Sequence, residues 1–257
     1  MYLLLVNTKA GNNRYQYIER SLKAILDKAQ VKYKIVLISD LAEIDRLLEE
    51  NIKSNTKAII AVGGNGTVTH VIDAMIDYDL PLGIIPTSKS NQLANSLGVK
   101  NWKAGVKLLI KPNIVSKKLG KIGQRYFVGP ISIAPKKNII TDILNKQHWL
   151  RQFLGSNLNK NIQDSHNVAC KINLDSNLEV QCQANNIELN MIEGVKKSLK
   201  IAIHALDKHK DSLSIFRANQ ISISSSLNLP ILSGNEILAS TPATIKSTNK
   251  SIEIIQP

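Results

Sequence analysis

The chain has 257 residues and, with 33 Lys and Arg against 20 Asp and Glu, a formal net charge of +13. That length suits one large domain or two modest ones, and either can bury a core without disulfide bonds. No apolar run approaches the ~18 residues of a membrane span, and residues 2–6 are too short and too uncharged in front for a signal peptide. We therefore expect a soluble, cytoplasmic protein.

The positive charge lies mostly after residue 110, and it would attract anionic lipid headgroups or, at low salt, nucleic acid. An ordinary solvated lysine-rich surface explains the charge equally well. Aromatic residues make up only 4% of the chain, which argues against a stacking surface for nucleic acid. We expect no nucleic-acid partner, and we retain peripheral contact with an anionic inner membrane surface as a prediction.

The two cysteines, Cys170 and Cys182, stand in strand-like surroundings. No C-x-x-C pattern and no His/Cys metal spacing accompanies them. We interpret them as buried free thiols in a reducing compartment.

The first half of the chain alternates strands and helices. Apolar runs predict strands at residues 2–6, 31–38, 58–62 and 82–86. Apolar residues at helical spacing predict helices over 18–29, 41–52, 68–76, 92–97 and 102–110, with Asp40 as an N-cap. Alternation of this kind predicts a parallel sheet with right-handed crossovers.

Polar turns follow three of these strands, at residues 7–13, 63–67 and 87–91. In parallel sheets, ligands bind beyond the carboxyl ends of the strands, so the three turns are expected at one edge. The glycine turn 63–66 lets backbone N–H groups approach a ligand, and Thr67 is the predicted N-cap of the helix after it. The pattern is typical of an anion or phosphate cradle, although a purely structural turn fits it about as well.

The periodicity changes after Pro112. Residues 116–133 predict a hairpin with its turn at Gly123 and Gln124, and residues 139–158 have helical character. Alternating strands are predicted over 168–191 (two or three), 199–205, 212–218, 220–224, 236–238 and 251–255. We predict an α/β domain over 1–112 and a β-rich domain over 113–257. The last strand is expected to return toward the first domain, and no single sheet is expected to cross both halves.

Four motifs in order resemble those of the diacylglycerol kinase catalytic-domain family, whose bacterial members are lipid kinases. They are Asn7-Thr8-Lys9-Ala10-Gly11, Gly63-Gly64-Asn65-Gly66-Thr67, Leu82-Gly83-Ile84-Ile85-Pro86 with Asn91, and Gly234-Asn235-Glu236. NAD kinases share the glycine-rich turn and the overall plan. The Asn7 turn and the residues after Pro86 favour the lipid kinase branch.

The resemblance implies an α/β nucleotide-binding domain before a β-sandwich-like lipid domain, with ATP as phosphate donor and a lipid such as diacylglycerol as acceptor. It marks Glu236 as a candidate general base and Asn65 as the position near nucleotide and metal. Lys9 and Lys89 are candidate phosphate contacts, although a lysine in a polar turn is ordinarily just exposed. The nucleotide-binding set that it implies is Asn7, Lys9, Gly11, Gly63, Gly64, Asn65, Gly66, Thr67, Thr87, Lys89 and Asn91.

The chain departs from the family pattern at several positions. The resemblance would place glycine at Ser88 and Ser90 and threonine at Lys89. The departures that bear most on the chemistry concern the carboxylates. The resemblance would place aspartate at Asn65, Gln92 and near Lys118, and this chain has none of the three. Mg²⁺ prefers hard anionic oxygens, so we assign it no protein ligand and expect the nucleotide phosphates to hold it. Two functions stay open: an ATP-dependent lipid kinase with weak or lost activity, and a non-catalytic relative that binds nucleotide or lipid in a regulatory role.

Overall fold

The computed structural model describes residues 1–88, 90–133, 168–192, 194–195, 198–207 and 210–257. Contacts divide the chain into two compact units. The first comprises Met1–Leu119 and Lys250–Pro257, and the second comprises Gly120–Asn249. The helical character predicted for 139–158 lies outside the described residues, and the domain boundary at residue 112 stays a prediction.

The first unit has a parallel sheet in the order β2-β1-β3-β4, as the alternating pattern predicts. Its strands are β1 (Tyr2–Asn7), β2 (Tyr33–Ile38), β3 (Ala58–Gly63) and β4 (Leu82–Pro86). Its helices are α1 (Arg14–Lys28), α2 (Ile44–Asn51) after a 3-10 turn (Leu41–Glu43), α3 (Asn65–Met75), α4 (Gln92–Ser96) and α5 (Trp102–Ile110).

Burial explains why these runs form strands. Every residue of β3 and β4 is buried, as expected for the central strands of a parallel sheet that is covered on both faces. Asp40 caps the 3-10 turn as predicted, since its carboxylate accepts a hydrogen bond from the Ala42 backbone N at 3.0 Å. The polar turns therefore follow the ends of buried strands.

The described strands of the second unit are antiparallel and form two layers. They are β5 (Ile114–Ile122), which begins in the first unit, β6 (Arg125–Phe127), β7 (Ile131–Ile133), β8 (Val168–Leu174), β9 (Leu178–Ala184), β10 (Asn186–Met191), β11 (Leu199–Asp207), β12 (Lys210–Ala218), β13 (Gln220–Ser225), β14 (Pro230–Ser233), β15 (Glu236–Ser240) and β16 (Ala243–Ile255). One layer contains β16-β13-β8-β9, and the other has the order β12-β11-β10-β7-β14-β15. A single apolar cluster joins side chains of both layers, for example Ile172 and Ile223 with Ile187 and Ile201. The fold class is that of the prediction, an α/β unit and a sandwich-like antiparallel unit.

Strand β16 serves both units. Its last residues belong to the first unit, where Ile254 pairs in parallel with Leu82 of β4. Its first residues pair with β13 in the second unit. The expected return of the last strand is confirmed. The strand order nevertheless runs without a break from β2 through β16 to β9, so the expectation that no sheet is common to both halves is wrong.

Two further details of the strand prediction needed correction. The β5–β6 hairpin turns at Gly123 and Gln124 as predicted, but β7 pairs with β10 and β14 in the other layer. Strand β14 was not predicted at all. Its four residues carry no alternation and begin with Pro230, so its strand state comes from pairing with β7 and β15.

Candidate functional site

The three polar turns leave the sheet at the same edge. In the register, Val6 lies beside Val62, and Gly63 lies beside Pro86. The carboxyl ends of β1, β3 and β4 are therefore level with one another. This confirms the predicted placement of the turns.

Close backbone contacts hold the turns together. Gly11 has φ +62°, and a Cβ added there would overlap the Thr87 carbonyl oxygen and lie 2.9 Å from its carbon. A Cβ on Gly64 would lie 3.2 Å from the Ser88 Cβ. The turn after β1 thus packs against the Thr87–Ser88 backbone, and the turn after β3 packs against the Ser88 side chain. Only glycine permits the approach at position 11.

Side-chain hydrogen bonds link the first turn to the second. The Asn7 Nδ2 donates to the Thr67 Oγ1 at 3.0 Å, and the Asn7 Oδ1 accepts from the Lys9 backbone N at 3.0 Å. The Lys9 Nζ is exposed and donates to the Ser39 carbonyl oxygen at 3.1 Å. Asn7 therefore acts as the bridge, while the phosphate role of Lys9 stays a prediction.

Helix α3 begins directly at the glycine turn. Gly64 is its N-cap, with extended φ −94° and ψ −172°. The prediction of Thr67 as N-cap is wrong, because the helix has already begun at Asn65 and the Thr67 side chain is buried as the partner of Asn7. No acidic residue lies in the first turn of α3. Its N–H groups and its dipole therefore present uncompensated positive charge.

Asn65 is the first residue of α3 and is only 6% exposed. Its Oδ1 accepts a hydrogen bond from the Leu93 backbone N at 3.3 Å, and its Nδ2 has no partner. Thr87, at the end of β4, is fully buried, and its Oγ1 also has no partner. An unpaired buried polar group costs about 1–3 kcal/mol, so two of them at one edge indicate a place for a polar ligand.

The third turn is held by Ser88. Its Oγ lies 2.7 Å from the Ser90 carbonyl oxygen and 2.8 Å from the Asn91 Oδ1. Asn91 precedes α4 as its N-cap without a side-chain capping bond. Lys89 lies outside the described residues.

Sequence reasoning missed two partners at this edge. Ser88 was noted only as a departure from glycine, yet it is the residue that Gly64 approaches. The Leu93 N–H that fixes Asn65 is 28 residues away in the chain, and no local pattern predicts such a contact.

His70, beside the turn, donates from Nδ1 to the Gly66 carbonyl oxygen at 2.8 Å, within its own helix.

The candidate base lies in the second unit. Glu236 is the first residue of β15, after the two-residue turn Gly234 and Asn235, and it pairs with Ser233. It is half-buried. Its catalytic role stays a prediction from the family motif.

The described residues do not fit a protein-bound Mg²⁺. The Asn65 oxygen is already an acceptor for Leu93, and its amide nitrogen would turn hydrogens toward a cation. Gln92 and Lys118 are exposed and supply no carboxylate. Within the described residues, no three His, Cys, Asp or Glu side chains are grouped so that they could hold a metal ion.

The two units and the three turns can now be compared with known proteins. Residues 1–122, just under half of the chain, match the family model "Diacylglycerol kinase catalytic domain". The resemblance seen in the motifs is thereby confirmed.

Among curated proteins, the chain is similar to a diacylglycerol kinase of Mycobacterium tuberculosis, with 27% identity over 116 residues, 43% of this chain and 38% of the relative. It is also similar to a probable lipid kinase YegS-like protein of Klebsiella pneumoniae, with 25% identity over 111 residues, 42% of this chain and 36% of the relative. The matched region therefore spans well under half the length of these relatives.

The fold is similar to the crystal structure of a diacylglycerol kinase from Bacillus anthracis. That comparison has a TM-score of 0.70 and 18% identity, and it covers 100% of this chain and 96% of the other. At this identity the likeness concerns the fold. In the part of the chain that the structure describes, none of the helices combines the length and apolar character that a membrane span needs.

Proposed function

We propose that the chain binds ATP or a related nucleotide through its phosphates at the edge formed by the three turns, and that its phosphorylation of lipid is weak or lost. The observation that carries the proposal is the pair of buried, unpartnered polar atoms, Asn65 Nδ2 and Thr87 Oγ1, beside the start of α3. A helix N-terminus with free N–H groups favours phosphate oxygens, and such oxygens would satisfy a buried amide donor.

The match to the family model makes a lipid hydroxyl the natural acceptor, and the names of the relatives point to diacylglycerol. In such a reaction, Glu236 would take the proton of the hydroxyl as general base, and the glycine turn would hold the phosphates. Catalysis of phosphoryl transfer depends mainly on positioning and on neutralising the negative charge of the transferring group. Asn65 has a neutral amide and Lys118 has a cation where the family pattern has anionic oxygens that would hold a metal ion. Because the metal that neutralises this charge would lack protein ligands, we expect little transfer of phosphate to lipid.

A second candidate function follows from the same substitutions. Without the three carboxylates, the chain can act as a non-catalytic relative that binds nucleotide or lipid in a regulatory role. Its net charge of +13 would favour contact with an anionic membrane surface in either case.

Nucleotide binding is tested by thermal unfolding with ATP and with ADP. A ligand at about 100 times its Kd stabilises a protein by roughly 2.7 kcal/mol, so a clear rise in Tm is expected. Gly64→Val should abolish the rise in Tm, because a branched side chain would meet the Ser88 Cβ and keep the ligand from approaching the backbone of the turn. Gly194→Ala is the control: its φ of +71° gives a backbone cost, but a Cβ there meets nothing within 4 Å, so its Tm should be lower and should still rise with nucleotide. An unchanged Tm of the natural protein in both nucleotides would remove the site.

Catalysis is tested by transfer of radiolabelled phosphate from ATP to diacylglycerol. We expect little transfer by the natural protein and only partial recovery in Asn65→Asp, because groups that act as a unit do not recover additively. The triple variant Asn65→Asp, Gln92→Asp and Lys118→Asp should recover more. Robust transfer by the natural protein that is lost in Glu236→Gln would refute weak or lost activity, and no transfer by any variant with nucleotide still bound would favour the regulatory role.

A further inference from the structure

The orientation of the Asn65 amide decides what kind of ligand the edge can take. If the amide were turned over, its NH₂ group would face the Leu93 N–H, and two donors would meet without an acceptor. The observed hydrogen bond from the Leu93 N to the Oδ1 at 3.3 Å therefore fixes the oxygen toward Leu93 and leaves the Nδ2 as the unpaired atom. An amide nitrogen can only donate.

The surroundings of this donor favour negative charge. Asn65 is the first residue of α3, whose first turn contains no acidic side chain. The Thr87 Oγ1, a buried hydroxyl, is a second polar group without a partner. A dianionic or more highly charged phosphate satisfies such donors, whereas a metal ion would face hydrogens.

We infer that the edge binds the nucleotide in its metal-free form, so that Mg²⁺ weakens nucleotide binding by the natural protein. With a carboxylate at residue 65 the effect would be reversed, and Mg²⁺ would strengthen binding. This inference rests on the proposed nucleotide site. Its physical basis is competition: Mg²⁺ occupies phosphate oxygens that the Asn65 amide and the α3 N–H groups would otherwise contact. It also lowers the negative charge that the helix N-terminus attracts.

The test is isothermal titration of the natural protein with ATP, once in EDTA and once in excess MgCl₂. We expect the Kd to be at least about threefold lower in EDTA, as a coupling between ligand and ion. For Asn65→Asp we expect the opposite sign, because a buried carboxylate repels the free nucleotide and attracts the metal complex. Asn95→Asp makes the same chemical change at an exposed position of α4, and it should keep the preference of the natural protein.

The outcomes separate this inference from the proposed function. Tighter or equal binding by the natural protein in Mg²⁺ would overturn the inference and leave the nucleotide site in place. No binding in either buffer would overturn the nucleotide site itself. If Asn65→Asp does not fold, the comparison of EDTA with Mg²⁺ on the natural protein still decides.

Discussion

Gly11→Ala tests whether the close packing of the turns contributes to stability. Gly11 has φ +62°, and an L-residue in this left-handed region costs about 1–2 kcal/mol. The added Cβ would also overlap the Thr87 carbonyl oxygen, a backbone atom that cannot rotate away. The two turns would have to separate by about 1 Å or more to restore ordinary contact distances.

We expect Gly11→Ala to lower the free energy of unfolding by about 2–4 kcal/mol in total. At about 2–4 °C per kcal/mol, the transition measured by scanning calorimetry should fall by several degrees. ATP binding should weaken as well, because the separation opens the edge at Thr87.

The control is Gly123→Ala. Gly123 has φ +57°, yet a Cβ there meets nothing within 4 Å. It should therefore show the conformational cost alone, about 1–2 kcal/mol. Equal losses in the two variants would refute the claim that the turns pack tightly at Gly11.

Two further predictions concern the second unit. The Thr241 Oγ1 accepts from the Leu229 N at 2.9 Å and donates to the Leu227 carbonyl oxygen at 3.0 Å. Thr241→Val should lower the free energy of unfolding in urea by about 1–3 kcal/mol, and Thr241→Ser should lower it clearly less. Equal losses in the two variants would contradict the importance of the hydroxyl. Burial, together with the nearby Cys182, raises the pKa of Cys170 from 9.0 to about 11. Because the thiolate is the reactive form, alkylation of Cys170 by iodoacetamide near neutral pH should be roughly a hundredfold slower in the folded than in the urea-unfolded protein, as followed by mass spectrometry. Similar rates would show that the thiol is accessible as thiolate.

Local patterns in the sequence determined much of this architecture. Buried apolar runs predicted the strands β1, β3 and β4, and helical spacing predicted the helices between them, because both signals are set by neighbouring residues. The hairpin turn at Gly123 was likewise visible, since few other residues adopt its positive φ, and the glycine turn at residues 63–66 was visible from three glycines directly after a buried strand. The family motifs added the likeness to lipid kinases.

Contacts between distant residues decided the rest. Thr67 was predicted as an N-cap from its neighbours, but Asn7, 60 residues away, holds its hydroxyl in the core. Strand β16 was expected only over 251–255, and it extends back to Ala243 because β13 pairs with its polar first half. The direction of the Asn65 amide, on which the choice between anion and metal depends, is set by the Leu93 backbone. A sequence records the residue types at these positions, whereas partners so far apart are selected only when the whole chain packs.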